Sequence, residues 1–182
     1  MSKQIYRKIK LQYNFMQKIL LQGLLPMTDK MDLKILEILQ ADCTTPVAEI
    51  GKQIGLSTTP CWRRIQKLEE KGILKERVAL LDPNKVNAGV TVFVSVTTSE
   101  HSKDWLDKFQ TVVTAFPEVV ELYRMSGKVD YLMRIVVSDI AAYDNFYKRL
   151  IAQIDITDVS STFAMEQIKF TTALPLKYAD TT

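Results

Sequence analysis

The stretch from Pro46 to Gly72 is the part of this chain with the fewest ways to fold. Val47, Ile50 and Ile54 recur at i, i+3 and i+7, a spacing that puts them on one face of a helix. Gly55 follows, and glycine ends helices because it takes the left-handed conformation at low cost. Only Leu56 and Ser57 separate it from a second helical pattern, in which Cys61, Ile65 and Leu68 repeat at i, i+4 and i+7. Ser57 suits the N-cap of that helix, and Pro60 is tolerated in its first turn, where backbone donors lack partners. Gly72 stops it. A short helix, a tight glycine turn and a second helix with its own buried stripe make a helix-turn-helix.

Another helix is predicted just upstream, from about Asp29 to Ala41. Leu33, Ile35, Leu36, Ile38 and Leu39 give it a broad apolar face, and Asp29 and Asp32 sit near the positive end of its dipole. Thr44-Thr45-Pro46 then reads as a loop, an N-cap and a proline at the first helical position. In the third helix, about Thr58 to Lys71, Thr59, Arg63, Gln66 and Glu70 project away from the buried stripe, flanked by Trp62 and Lys67. Such a face suits the major groove, where Arg pairs with guanine and Gln with adenine. Thr58 and Thr59 occupy the helix start, where a phosphate can dock. From Arg63 to Arg77 there are six basic residues against three acidic ones. Helical hairpins with a solvated basic face are also common, so these residues alone leave both readings open.

Charge adds a constraint. The chain has 182 residues and a formal net charge of +3, enough length for one large domain or two small ones. Residues 1–26 hold five basic residues and no acid, leaving 19 basic against 21 acidic in the remainder. Nucleic-acid binding must therefore come from a local basic face. The basic segment itself reads as an extension upstream of a natural start at Met27, with an organellar transit peptide or a DNA-touching arm as alternatives. No run of about 18 apolar residues spans a membrane. Two cysteines, Cys43 and Cys61, are too few for a disulfide framework and point to a reducing compartment. Cys61 lies on the buried stripe and reads as a small buried hydrophobe. One histidine, His101, leaves little room for a metal site or a histidine base. Nucleophile–base pairs, glycine-rich phosphate loops and metal clusters are not legible, so an enzyme and a cofactor are not expected.

The C-terminal half has a different rhythm. Val90, Val92, Val94 and Val96 alternate with Thr91, Phe93, Ser95 and Thr97, the period of two that marks a strand. A helix is predicted from about Lys103 to Phe116, with Trp105, Phe109, Val112, Val113 and Phe116 on one face. Val119 to Met125 and Tyr131 to Val137 read as a hairpin around Ser126-Gly127-Lys128. Asp139 caps a helix whose core side is Tyr143, Phe146, Tyr147, Leu150 and Ile154, and a last strand spans about Val159 to Thr171. The order βαββαβ gives an α+β chain: a helix-turn-helix domain over residues 27–75, a linker with a short strand over 76–89, a ferredoxin-like domain over 90–176 and a tail over 177–182. Two helices cover one face of such a sheet, and a second copy is the simplest cover for the other.

The residues also carry a family resemblance. Leu56-Ser57-Thr58-Thr59-Pro60-Cys61-Trp62-Arg63-Arg64-Ile65, then Leu68-Glu69 and Gly72-Ile73, closely resembles the recognition-helix signature of the Lrp/AsnC regulators of bacteria and archaea. The likeness continues through Ala79-Leu80-Leu81-Asp82-Pro83, Ser126-Gly127, Asp130-Tyr131-Leu132 and Leu174-Pro175-Leu176, and so covers about Thr28 to Leu176. Phe163-Ala164-Met165-Glu166-Gln167-Ile168 resembles the subgroup that includes the cysteine-detoxification regulator. The resemblance implies a transcription regulator of double-stranded DNA in the bacterial cytoplasm, associated with the nucleoid. It implies a homo-oligomer, a dimer or a larger assembly such as an octamer, that responds to an amino-acid effector. The candidate DNA-contacting residues are Ser57, Thr58, Thr59, Pro60, Trp62, Arg63, Arg64, Gln66 and Lys67. The candidate effector residues are Gly127, which leaves the backbone open to a ligand, Asp130, as acceptor for an α-ammonium group, and Tyr131. The competing expectations are that these three only build a turn, and that the chain is a sensor or interaction module acting through protein contacts without DNA.

Overall fold

The computed structural model describes residues 28–100 and 102–179. The readings of residues 1–26, of His101 and of the last three residues lie outside them. The chain divides into two compact units, one taking residues up to Ala79 together with Lys169 onward, the other Leu80–Ile168.

The first unit is built on three helices, α1 (Lys30–Ala41), α2 (Val47–Ile54) and α3 (Thr58–Glu70). Asp29 caps α1: its carboxylate accepts from the Met31 and Asp32 backbone N–H groups, while the Asp32 side chain accepts from the Asp29 N–H. This reciprocal box satisfies donors that a helix start otherwise leaves orphaned. Pro46 itself is the N-cap residue of α2, so the expected Thr45 cap does not form; the Thr45 hydroxyl donates to the Asp42 carbonyl instead. Gly55 ends α2 at φ +76°, inside the region that favours glycine. Ile35, Leu36 and Leu39 of α1, Ile50 and Ile54 of α2, and Cys61, Ile65 and Leu68 of α3 form one buried core. Each of these side chains, fully withdrawn from water, contributes on the order of 1.5–3 kcal/mol.

The second unit holds β1 (Val90–Thr97), α4 (Lys103–Thr114), β2 (Val119–Arg124), β3 (Tyr131–Val137), α5 (Ile140–Ile151) and β4 (Asp158–Phe163). The sheet order is β2-β3-β1-β4, and every neighbouring pair is antiparallel. This is the expected βαββαβ arrangement. Val92, Val94 and Val96 of β1 and Tyr131, Met133, Ile135 and Val137 of β3 are buried with Trp105, Phe109 and Val113 of α4 and Tyr143, Phe146 and Leu150 of α5. The alternate positions, among them Phe93, Leu132, Arg134 and Val136, lie on the other face of the sheet, which no helix of this unit covers.

Two expectations need correction. The last strand ends at Phe163, not near Thr171: Val92 pairs with Phe163, Ala164 N–H makes one more bond to the Thr91 carbonyl, and β1, which starts at Val90, offers no partner for a strand running on to Thr171. Residues 76–82 form no strand; a short 3-10 helix, Pro83–Val86, capped by Asp82, follows them. The segment from Lys169 onward also joins the helical unit rather than the sheet. There Gln40 Nε2 donates to the Leu174 carbonyl at 3.3 Å, Gln40 Oε1 accepts from the Leu174 N–H at 2.6 Å, and Leu176 packs against the helical core.

Candidate nucleic-acid interface and ligand-binding turn

The α2–α3 turn works because two helices approach closely at Gly51. A Cβ there would stand 2.7 Å from the Leu56 carbonyl oxygen and 3.5 Å from the Cys61 Cβ. The Leu56 N–H donates back to the Gly51 carbonyl at 2.8 Å, closing the turn. Gly51 was not singled out from the sequence. An isolated glycine in an otherwise helical pattern is the signal that it serves packing.

With Cys61, Ile65 and Leu68 turned inward, α3 presents its other side. Ser57, Thr58, Thr59, Pro60, Trp62, Arg63 and Lys67 are exposed, and Trp62 keeps half of its surface open. Ser57 is the N-cap residue by conformation, but its hydroxyl makes no capping bond. Gln66 is half-buried and donates to Glu69 Oε2 at 3.2 Å. Among the described residues, Arg63 has no hydrogen bond or ion pair. Seven of the nine expected DNA-contacting residues are therefore exposed together, with Gln66 half-buried beside them.

Arg64 behaves differently. Its guanidinium turns back onto α1, where Nη1 donates to Asp29 Oδ2 at 2.5 Å and to Asp32 Oδ1 at 2.8 Å. Those two bonds raise the Arg64 pKa further. Burial works to raise the Asp29 carboxyl, but the Asp32 N–H, the Arg64 guanidinium and the Met31 N–H outweigh it and hold it below the usual carboxylate range. Cys61 is fully buried, and desolvation pushes its thiol up against the opposing charge of Arg64, so it is a packing residue.

In the sheet unit, Gly127 sits in the β2–β3 connection at φ +141° with open space around it. Met125 N–H donates to the Asp130 carbonyl at 2.8 Å, closing the turn on itself, and Asp130 N–H donates to the Val96 carbonyl at 2.9 Å, tying its far end to β1. Asp130 is only 8% exposed, and its Oδ2 accepts the Thr98 N–H at 3.0 Å. It is turned inward rather than standing at the mouth of the hairpin. Tyr131 is also buried, its ring 4.6 Å from that of Phe109, and desolvation raises its hydroxyl pKa. Gly127 is thus exposed, while Asp130 and Tyr131 are buried.

The open sheet face carries a network missed from the sequence. Arg134 donates from Nε and Nη2 to Glu121 Oε1 at 2.8 and 2.7 Å, and the Tyr123 hydroxyl donates to Glu121 Oε2 at 2.8 Å. Among the described residues no three His, Cys, Asp or Glu side chains converge as a metal site, and no helix is long and apolar enough to cross a membrane.

Two family domains match the chain in succession. The AsnC-type helix-turn-helix domain matches residues 29–69, and the Lrp/AsnC ligand binding domain matches residues 91–174. The DNA-binding transcriptional activator DecR of Escherichia coli K12 is 51% identical over 152 residues, which are 83% of this chain and 100% of that protein. The crystal structure of an AsnC family transcriptional regulator from Agrobacterium tumefaciens superposes with a TM-score of 0.81 at 68% identity, covering 83% of this chain and 99% of that one. A transcriptional regulator from Neisseria meningitidis, solved as an L-Met complex, gives a TM-score of 0.79 at 35% identity, covering 83% and 98%. These domains and relatives are transcription regulators and not enzymes. An AsnC-type DNA-binding unit joined to an Lrp/AsnC ligand-binding unit makes this chain a member of the Lrp/AsnC family of transcription regulators.

Proposed function

We propose that this regulator binds pseudo-palindromic operators as a homo-oligomer in the cytoplasm, and that a free amino acid at the β2–β3 turn changes its assembly or DNA affinity. The observation that carries the DNA half is the exposed face of α3, where Thr59, Trp62, Arg63 and Lys67 stand clear of the core while Cys61, Ile65 and Leu68 anchor it. Arg63 reads a base edge, Lys67 meets a phosphate, and Ser57, Thr58 and Thr59 put hydroxyls and helix-start N–H groups toward the backbone.

The effector half rests on Gly127, exposed and without a side chain to exclude a ligand. Asp130 and Tyr131 follow that turn directly and anchor it, Asp130 by accepting the Thr98 N–H and Tyr131 by packing on Phe109. Cysteine ranks first as effector on the resemblance of Phe163 to Ile168 to the cysteine-detoxification subgroup, and the L-Met complex of the Neisseria relative supports an amino acid as the ligand class. Linkage requires that the effector and DNA change each other's affinity by one factor. Assembly rests on the open sheet face, where Phe93 is 39% exposed and Leu132 and Val136 are half-buried, a surface suited to a second copy.

The test is isothermal calorimetry of the twenty amino acids against the full chain, with DNA affinity measured in the presence and absence of each. Cysteine should bind and shift DNA affinity. Binding by another amino acid would replace cysteine, and binding by none would remove the sensing reading. Sedimentation at micromolar concentration should give a dimer or a larger even-numbered species; a monomer would remove the assembly reading.

A further inference from the structure

We propose that Arg64 is a positioning residue for operator recognition, a latch from the middle of α3 to the first turn of α1 that sets where Arg63 points. The inference rests on the reading that α3 carries the base contacts, and it departs from the expectation that Arg64 touches DNA itself.

Three observations support it. First, the Arg64 Nη1 atom is shared by two carboxylates, Asp29 Oδ2 at 2.5 Å and Asp32 Oδ1 at 2.8 Å, and its side chain is only 33% exposed. A phosphate would have to compete with both. Second, the target is rigid. Asp29 spends Oδ1 on the Met31 and Asp32 N–H groups, and Asp32 Oδ2 takes the Asp29 N–H, so both carboxylates are built into the start of α1. Third, among the described residues the packing of α3 against α1 and α2 is otherwise apolar, through Cys61, Ile65 and Leu68, and the Glu69–Arg77 ion pair ties α3 only to the segment that follows it. Apolar burial is non-directional and tolerates small rotations and slides, whereas a hydrogen-bonded ion pair fixes an angle. Arg63 and Arg64 are adjacent and about 100° apart around the helix. Holding Arg64 toward α1 therefore sets the direction of Arg63, and directional readout needs placement to within about 0.5 Å.

The experiment uses the full chain and two fluorescent duplexes: one selected by the wild-type protein from a random-sequence pool, and a shuffled duplex of the same length. Variants are Arg64→Gln, Asp32→Asn and Asp29→Asn, the last retaining an N-cap side chain while removing the charge that faces Arg64. Each variant is first shown by circular dichroism and thermal melting to be folded at the assay temperature. We expect each to lower the preference for the selected duplex by about tenfold, with affinity for the shuffled duplex not reduced. The slope of log affinity against log salt should stay at the wild-type value. Arg64→Gln combined with Asp32→Asn should lose no more than Arg64→Gln alone, because Arg64→Gln already removes the partner of both carboxylates. A salt slope lower by about 0.9 in Arg64→Gln, with both duplexes weakened alike, would make Arg64 a phosphate contact and overturn the proposal. Folded variants with a lower melting temperature but an unchanged preference would overturn it too, leaving only a stabilising pair. If Arg63→Ala leaves the preference intact, the reading of α3 fails instead, and that result is distinct from either of these.

Discussion

The side-chain amide of Gln40 pairs with the backbone of Leu174, donating to its carbonyl and accepting from its N–H, as a neighbouring strand would. Two residues 134 positions apart in sequence thus tie the end of the chain to α1. Leu176, two residues on, packs on the same helical core.

Gln40→Ala should therefore lower the stability of the helical unit by about 1 kcal/mol, since two exposed hydrogen bonds contribute modestly. Leu176→Ala should cost a similar amount through lost packing. Chemical denaturation followed by helix ellipticity checks both. An unchanged denaturation midpoint in each variant would mean that the tail does not rest there in solution.

Gly51→Ala should destabilise the helical unit by about 1–3 kcal/mol, the usual range for overpacking. The added methyl meets the Leu56 carbonyl oxygen at 2.7 Å, and that atom is backbone held by the turn itself. Gly55→Ala meets open space and fails for a different reason, its φ of +76°. Thermal melts of the two variants should both fall, and only Gly51→Ala should shift α2 against α3 in amide chemical shifts.

Much of this architecture was legible from periodicity, and the exceptions have physical reasons. The alternation in Val90 to Thr97 and the stripe Cys61, Ile65 and Leu68 each mark a buried face, so strand and helix were readable from local spacing alone. The end of β4 was not, because a strand cannot run far past its partner, and the β1 register is not written in residues 164–171. Nor was the fate of Arg64. Helical spacing sets it about 100° from Arg63, but its two carboxylates lie 35 and 32 positions away, so only the packing of α1 on α3 shows what it meets. The inward turn of Asp130 has the same origin, since its partner Thr98 is reached across the sheet.

Acid should weaken the helical unit through Asp29. Its folded pKa lies below the ordinary 3.8, held down by the Asp32 N–H and the Arg64 guanidinium against the effect of burial. A depressed carboxylate contributes stability that is present above its unfolded pKa and lost as pH falls through the folded value. Melting temperature should thus fall more steeply below about pH 5 in wild type than in Asp29→Asn, whose capping amide does not titrate. Parallel curves for the two proteins would show that the pair does not contribute in solution.

The central claim is that the exposed face of α3 reads DNA sequence, and Arg63 tests it most directly. Arg63 stands on that face with no hydrogen bond or ion pair among the described residues. Fluorescence anisotropy with a duplex selected by the wild-type protein, and with its shuffled counterpart, should show Arg63→Ala losing about 1–3 kcal/mol on the selected duplex and far less on the shuffled one. Base preference should relax at one position of each half-site. Equal affinity of wild type and Arg63→Ala for the selected duplex, with base preference unchanged, would contradict the account.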